Sequence, residues 1–314
     1  MLGLFLRRLL VSVPLLLVVS FLVFSLIVLV PGDPAVALAG PNPGPEQIAA
    51  VRESLGLNDP FLVQYWRWLT AALHGDLGVS LFTSQTVWSA ITSRLPTTLS
   101  LAGFALVLAI VLGVAVGSIA GLRPGTWIDR VATTTASIGV AVPYFWVGMI
   151  LVLLLSIDHS VLPAVGYVPL TTDPVEWLRH LVLPGTALAL APAAVIARQT
   201  RAAVATVMTE DYVRTAKAKG LAPWRVVGKH ALKNAALPVV TVFGIEANRL
   251  IGGTVVIEQL FALPGIGQLA YQGVFSRDFP VVQGVVLFAA LMVLLINIFV
   301  DVSYGYFNPR IRQS

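Results

Sequence analysis

The chain has 314 residues, of which 57% are hydrophobic and 11% charged, the profile of an integral membrane protein rather than a soluble domain. It contains no cysteine, which excludes disulfides, thiol catalysis and cysteine-ligated metal or iron–sulfur centres. The net charge of +5 does not point to nucleic acid, because the basic residues cluster between apolar stretches, as in the cytoplasmic loops of membrane proteins.

Arg7-Arg8 precede an apolar run, Leu9–Val30. Ala35-Val36-Ala37 offers a small-residue cleavage site, but a secretory core is about 7–15 residues long, so this longer run reads as an uncleaved first helix. Residues 31–94 form an extracytoplasmic cap. It opens with the turn-forming Val30-Pro31-Gly32-Asp33-Pro34, followed by short helices near Glu46–Leu55 and Pro60–Leu73. Trp66 and Trp68 suit either a membrane–water interface or the packing of this cap.

Residues 95–314 make a five-helix core. With the first helix this gives six apolar stretches, near Leu9–Val30, Thr97–Leu122, Val131–Ile157, Leu181–Ala197, Pro238–Ile257 and Val281–Val300. A span takes about 20 residues. Gly113, Gly117 and Gly121 repeat the spacing that brings two helix backbones together in lipid, with no partner helix indicated. The third stretch carries Thr133, Thr134, Thr135 and Ser137, whose hydroxyls either line a wet path or bond back to their own helix. It also contains Pro143, which predicts a kink. Pro184 and Pro192 lie in the fourth stretch.

Glu246, Asn248 and Arg249 fall inside the fifth stretch, where an arginine costs about 2.5–3.5 kcal/mol to insert. Glu246 and Arg249 are three apart and can pair on one face, either as a structural ion pair or as part of a polar path.

Basic residues orient the chain. With a cytoplasmic amino terminus, fourteen fall inside: Arg7, Arg8, Arg123, Arg130, the eight from Arg198 to Lys233, Arg310 and Arg312. Five fall outside: Arg52, Arg67, Arg94, Arg179 and Arg277. The excess belongs inside, which predicts both termini in the cytoplasm.

The long polar island of the second half is Glu210–Pro238, within the loop 198–237. A short helix fits Asp211–Lys219, with Glu210 and Asp211 at its electropositive end and Gly220 placed to stop it in a positive-φ conformation. Tyr212, Thr215, Ala216 and Lys219 share one mostly small face. Such a helix suits a groove on another protein; the plainer alternative is a solvated basic loop.

Tyr212 to Leu221, YVRTAKAKGL, followed by His230-Ala231-Leu232 and Asn234-Ala235, resembles the coupling loop of ABC-importer permeases of the oligopeptide/dipeptide/nickel family. Arg214-Thr215-Ala216 stands at the family's E-A-A positions, Gly220 at its glycine, and Lys233 replaces a proline. Further family-like segments are Gly75–Ser80 (GDLGVS), Arg94–Leu99 (RLPTTL), Gly252–Glu258 (GGTVVIE), Phe261–Gly267 (FALPGIG) and the tail Asn308–Arg312 (NPRIR). The resemblance implies an all-α, type I importer permease fold of six transmembrane helices in a bacterial inner membrane. It implies that Asp211, Tyr212, Arg214, Thr215, Ala216, Lys217, Ala218, Lys219, Gly220 and Leu221 dock on an ATPase subunit. It implies as partners a second homologous permease, two ATP-binding subunits and an extracytoplasmic binding protein. No cofactor is expected in this chain, ATP and Mg being held by the ATPase partners. The implied cargo is a di- or oligopeptide, with nickel, glutathione or another small solute as alternatives. Glu246, Asn248 and Arg249 are then expected along the translocation path.

The chain has no G-x-x-x-x-G-K-[ST] phosphate loop, no H-E-x-x-H pair and no G-x-S-x-G, so it is not expected to be an ATPase or an intramembrane enzyme. An ion-driven secondary transporter would be expected to show repeated halves with discontinuous helices, and no such repeat is seen.

Overall fold

The structure is a computed structural model that describes residues 2–29, 35–36, 39, 43–54, 56–220 and 233–307. The turn cluster 31–34, the segment 221–232 that follows the predicted coupling helix, and the tail 308–312 lie outside the described residues.

The described residues are helical, apart from turns and one isolated bridge between Val79 and Thr86. We number the helices α1 (Leu2–Leu29), α2 (Pro45–Ser54), α3 (Phe61–Leu73), α4 (Val87–Leu122), α5 (Trp127–Ala141), α6 (Tyr144–Leu151), α7 (Pro174–Val207), α8 (Asp211–Ala218), α9 (Lys233–Leu260), α10 (Ile266–Ser276) and α11 (Phe279–Phe307). α6 runs on into a π-helical segment, Val152–Asp158.

Among the described residues, four helices are long and apolar enough to cross a bilayer: α4, α7, α9 and α11. α5 and α6 with its π segment make a fifth span only as a broken one, because they meet at 98°. The kink expected at Pro143 within the Val131–Ile157 stretch is therefore present, as a full break between two helices. Pro143 has no N–H to donate and forces Val142 out of the helical region, so Val142 is extended at φ −80°, ψ 128°. Tyr144, Val147 and Leu151 on the second arm pack against the main core.

That core joins α4 (Leu101, Ala105, Ala109), α7 (Leu181 to Ile196) and α9 with the turn after it (Leu250, Ile257, Phe261, Leu263). α4 and α7 form the most extensive pair. The three spaced glycines explain why. A methyl group on Gly113 would lie 2.8 Å from the Ala193 carbonyl oxygen, and one on Gly121 2.7 Å from that of Arg201. Gly117 meets the Ala197 carbonyl more closely still. Lipid tails give no hydrophobic drive to pair two helices, so close backbone contact must supply the attraction. The partner that the glycine spacing left open is α7.

The helices overrun their apolar stretches. α4 starts at Val87, capped by the Thr86 hydroxyl, and α7 starts at Pro174, where the Asp173 carboxylate accepts the Val175 and Glu176 N–H groups. In the cap, the Trp68 ring packs at a tilt on Phe24 of α1, with ring centres 5.5 Å apart, whereas Trp66 is exposed. Ser137 donates to the Thr133 carbonyl of its own helix, and Thr133, Thr134 and Thr135 are exposed.

Candidate functional site

The last turns of α7 carry Arg201. Its Nε and Nη2 donate to the two carboxylate oxygens of Asp129 at 2.8 and 2.6 Å. Asp129 is buried, near the start of α5, and its Oδ2 also accepts the Gly125 N–H at 2.9 Å. A planar guanidinium fits a carboxylate through two parallel bonds, which adds direction to the attraction. The clamp therefore ties the α4–α5 turn, α5 and α7 together just before α8.

α8 follows after a tight turn in which the Glu210 carbonyl accepts the N–H groups of Val213 and Arg214. Val213 is fully buried and Ala216 nearly so, packed on Val207 and Met208. The small face expected to dock is thus divided. Ala216 turns inward with Val213 and seats the helix, while Asp211, Tyr212, Arg214, Thr215, Ala218 and Lys219 face outward. Arg214 and Asp211 form a loose pair at 3.5 Å, both largely in solvent. Gly220 has φ +74° and nothing within 4 Å of the position a side chain would take, so only its backbone conformation restricts it. The side chain of Lys217 and all of Leu221 lie outside the described residues.

The second candidate group lies on α9. Arg249 Nη1 donates to Glu246 Oε1 at 2.8 Å, so the i, i+3 pair forms. Its members differ sharply, however: the Glu246 side chain is 3% exposed and that of Arg249 66%. Asn248 donates from Nδ2 to Asn297 Oδ1 on α11 at 2.7 Å. Its neighbour one turn away, Gly244, lies against Val300 of α11. The group thus spans a buried carboxylate, an inter-helix amide bond and one open cation.

A third polar cluster joins family-like segments that sequence reading treated separately. Thr98 donates to Glu258 Oε1 at 2.7 Å, the Gln268 N–H donates to Glu258 Oε2 at 2.9 Å, and the Ile266 N–H donates to the Thr98 hydroxyl at 2.8 Å. Glu258 is fully buried. The cluster pins the start of α10 to the junction of α4 and α9.

Asp129 and Asn297 are not singled out by the sequence, and Glu258 enters there only as the last residue of the family-like GGTVVIE. Asn297 carried a signal, being a polar residue deep in an apolar stretch. Asp129 did not, since its partner is 72 positions away.

The chain matches two family descriptions that together run along it: "Binding-prot-dependent transport system membrane comp, N-term" over residues 1–102 and "Binding-protein-dependent transport system inner membrane component" over residues 113–313. It is 43% identical, over the whole of both chains, to a putative peptide transport system permease protein of Brucella abortus (strain 2308). It is equally identical, again over the whole of both chains, to a glutathione transport system permease protein of Salmonella paratyphi A. A probable peptide ABC transporter permease of Sinorhizobium fredii is 40% identical over 98% of each chain. Among solved structures, a chain of the MetNI methionine ABC transporter superposes with a TM-score of 0.57 at 20% identity, covering 69% of this chain and 95% of that one. A likeness at that identity is one of fold.

Proposed function

The chain belongs to the family of binding-protein-dependent transport system inner membrane components, and on that premise we propose that it forms half of the translocation path of an ATP-driven importer of short peptides. As the permease subunit of an ABC importer, it is a multi-pass protein of the bacterial inner membrane. The observation that carries the peptide reading is the 43% identity, end to end, to permeases named for peptides and for glutathione. Glutathione is itself a small peptide, so a short peptide with free charged ends is the common cargo.

In this reading the chain crosses the membrane six times, with α1 as the first span, the broken α5–α6 pair as the third and both termini in the cytoplasm. The first helix covers residues 1–30, the extracytoplasmic cap 31–94 and the five-helix core 95–314, with a cytoplasmic loop at 198–237. The outward face of α8 docks on an ATP-binding subunit, and the Asp129–Arg201 clamp holds the leg that carries it. ATP and Mg belong to two such subunits, and this chain catalyses no reaction. A second homologous permease completes the path, and an extracytoplasmic binding protein delivers the peptide. Arg249 faces the path, held there by buried Glu246, while Asn248 and Asn297 keep α9 and α11 in register beside it.

The test is uptake of a labelled dipeptide and of glutathione by vesicles containing the purified complex and its binding protein. Uptake should require ATP and cease when ATP is omitted. Uptake driven by an ion gradient without ATP would overturn the reading.

A further inference from the structure

Arg94 lies in the second turn of α4, where α4 meets α10. A guanidinium carries five N–H donors and is always charged. Here its hydrogen bond among the described residues is a single long one, Nη1 to Gln272 Oε1 at 3.4 Å, and no carboxylate stands within ion-pair distance of it there, Glu258 attracting it only from farther away. The acidic groups near it are committed elsewhere. Glu258 accepts from Thr98 and Gln268. Asp278 is 4% exposed and accepts from the Ser80 hydroxyl and the Leu81 N–H.

Arg94 and Gln272 line an open cavity of about 580 Å³ between α4, α10 and the turn at 80–85. Thr83 and Gln85 edge it with polar groups, and Tyr271 and Phe275 form an aromatic pair with ring centres 4.4 Å apart. Phe275 is 72% exposed. Small-molecule sites occupy about 300–1,000 Å³ and combine apolar walls with a few placed polar groups.

We propose that Arg94 and Gln272 receive the free carboxylate of the transported solute, with the Tyr271/Phe275 pair taking an apolar side chain beside it. The inference rests on the importer reading and adds to it an entry site on this subunit. The cation supplies the attraction and the rings a surface tolerant of different side chains. The site sits about eight turns along α4 from its far end, where Gly121 packs on Arg201 and Val204 of the α7 segment that leads to α8.

The chain has no cysteine, so Gln85→Cys accepts a single environment-sensitive dye on this subunit. The assembled transporter, without its binding protein, is titrated with alanyl-phenylalanine and with the C-terminal amide of that dipeptide. The free acid should give a saturable change, and the amide should bind about tenfold more weakly or worse, the scale of a hydrogen bond to a charged group. Arg94→Gln should erase the difference, and Arg94→Lys should keep part of it. Equal binding of acid and amide would overturn the proposal, and that comparison decides it even if Arg94→Gln fails to assemble. So would an unchanged preference in Arg94→Gln, or a dye site that reagents reach only in the isolated subunit, which would mark the cavity as a subunit interface. These outcomes leave the importer reading standing, since ATP-dependent uptake is measured separately.

Discussion

A buried polar side chain must find partners, and in this chain the partners explain the fold better than the charges do. The hydroxyl of Thr98 both donates to Glu258 and accepts from the Ile266 N–H. Thr98→Val keeps the shape and removes both bonds. A buried donor or acceptor left without a partner costs about 1–3 kcal/mol, so the variant should be destabilised on that scale and the detergent-purified complex should unfold at a lower temperature. An unchanged melting temperature would show that the cluster carries no stability. On α9, burial of Glu246 and exposure of Arg249 separate two roles within one ion pair. Arg249→Met alone leaves a buried carboxylate unpaired and should impair assembly. The double variant Glu246→Gln/Arg249→Met should assemble but import charged peptides at a clearly reduced initial rate. Normal uptake by the double variant would reduce the pair to scaffolding.

Helices here are positioned by what they can approach. Gly117 faces the Ala197 carbonyl and the Thr200 side chain of α7 so closely that any side chain must displace backbone. Gly117→Leu should cost at least the 1–3 kcal/mol typical of overpacking, and the expected result is loss of the assembled complex in size-exclusion chromatography. α8 obeys a different constraint. Gly220 has open space around it but a left-handed backbone, which costs an ordinary residue about 1–2 kcal/mol. Asparagine tolerates that conformation better than valine does. Gly220→Asn should therefore retain most transport and Gly220→Val should lose it, with both variants still inserted in the membrane. Equal uptake by the two variants would place the importance of Gly220 elsewhere than in the turn.

For the molecule as a whole, the distribution of basic residues predicts sidedness. An impermeant thiol reagent applied to cells stripped of their outer barrier should label Leu73→Cys, whose native side chain is 78% exposed in the cap, and spare Lys219→Cys. Asn42, also in the predicted cap, lies outside the described residues. The reverse labelling pattern would invert the topology. The broken third span belongs to this scale too. Its two arms meet at 98°, so that α5 packs on α4 and α7 while α6 packs on α7 and α9.

By itself the sequence determined the class of molecule, the rough positions of the apolar helices and a short helix at Asp211–Lys219, which the structure ends one residue earlier at Ala218. Each of these rests on local signals: runs of apolar residues long enough for a bilayer, a glycine after a polar helix, a proline inside a span. The family resemblance was legible for the same reason, since its motifs are contiguous strings such as YVRTAKAKGL. Only the tertiary structure decided which surfaces meet. That α7 fills the glycine groove of α4, that Arg201 closes on Asp129, and that Glu258 holds Thr98 beside the start of α10 are contacts between residues 72 to 160 positions apart. Helical spacing puts Ala216 on one face with Tyr212, Thr215 and Lys219, but it tells which residues share a face, not which of them is buried. That choice belongs to Val207 and Met208, the side chains against which Val213 and Ala216 come to rest.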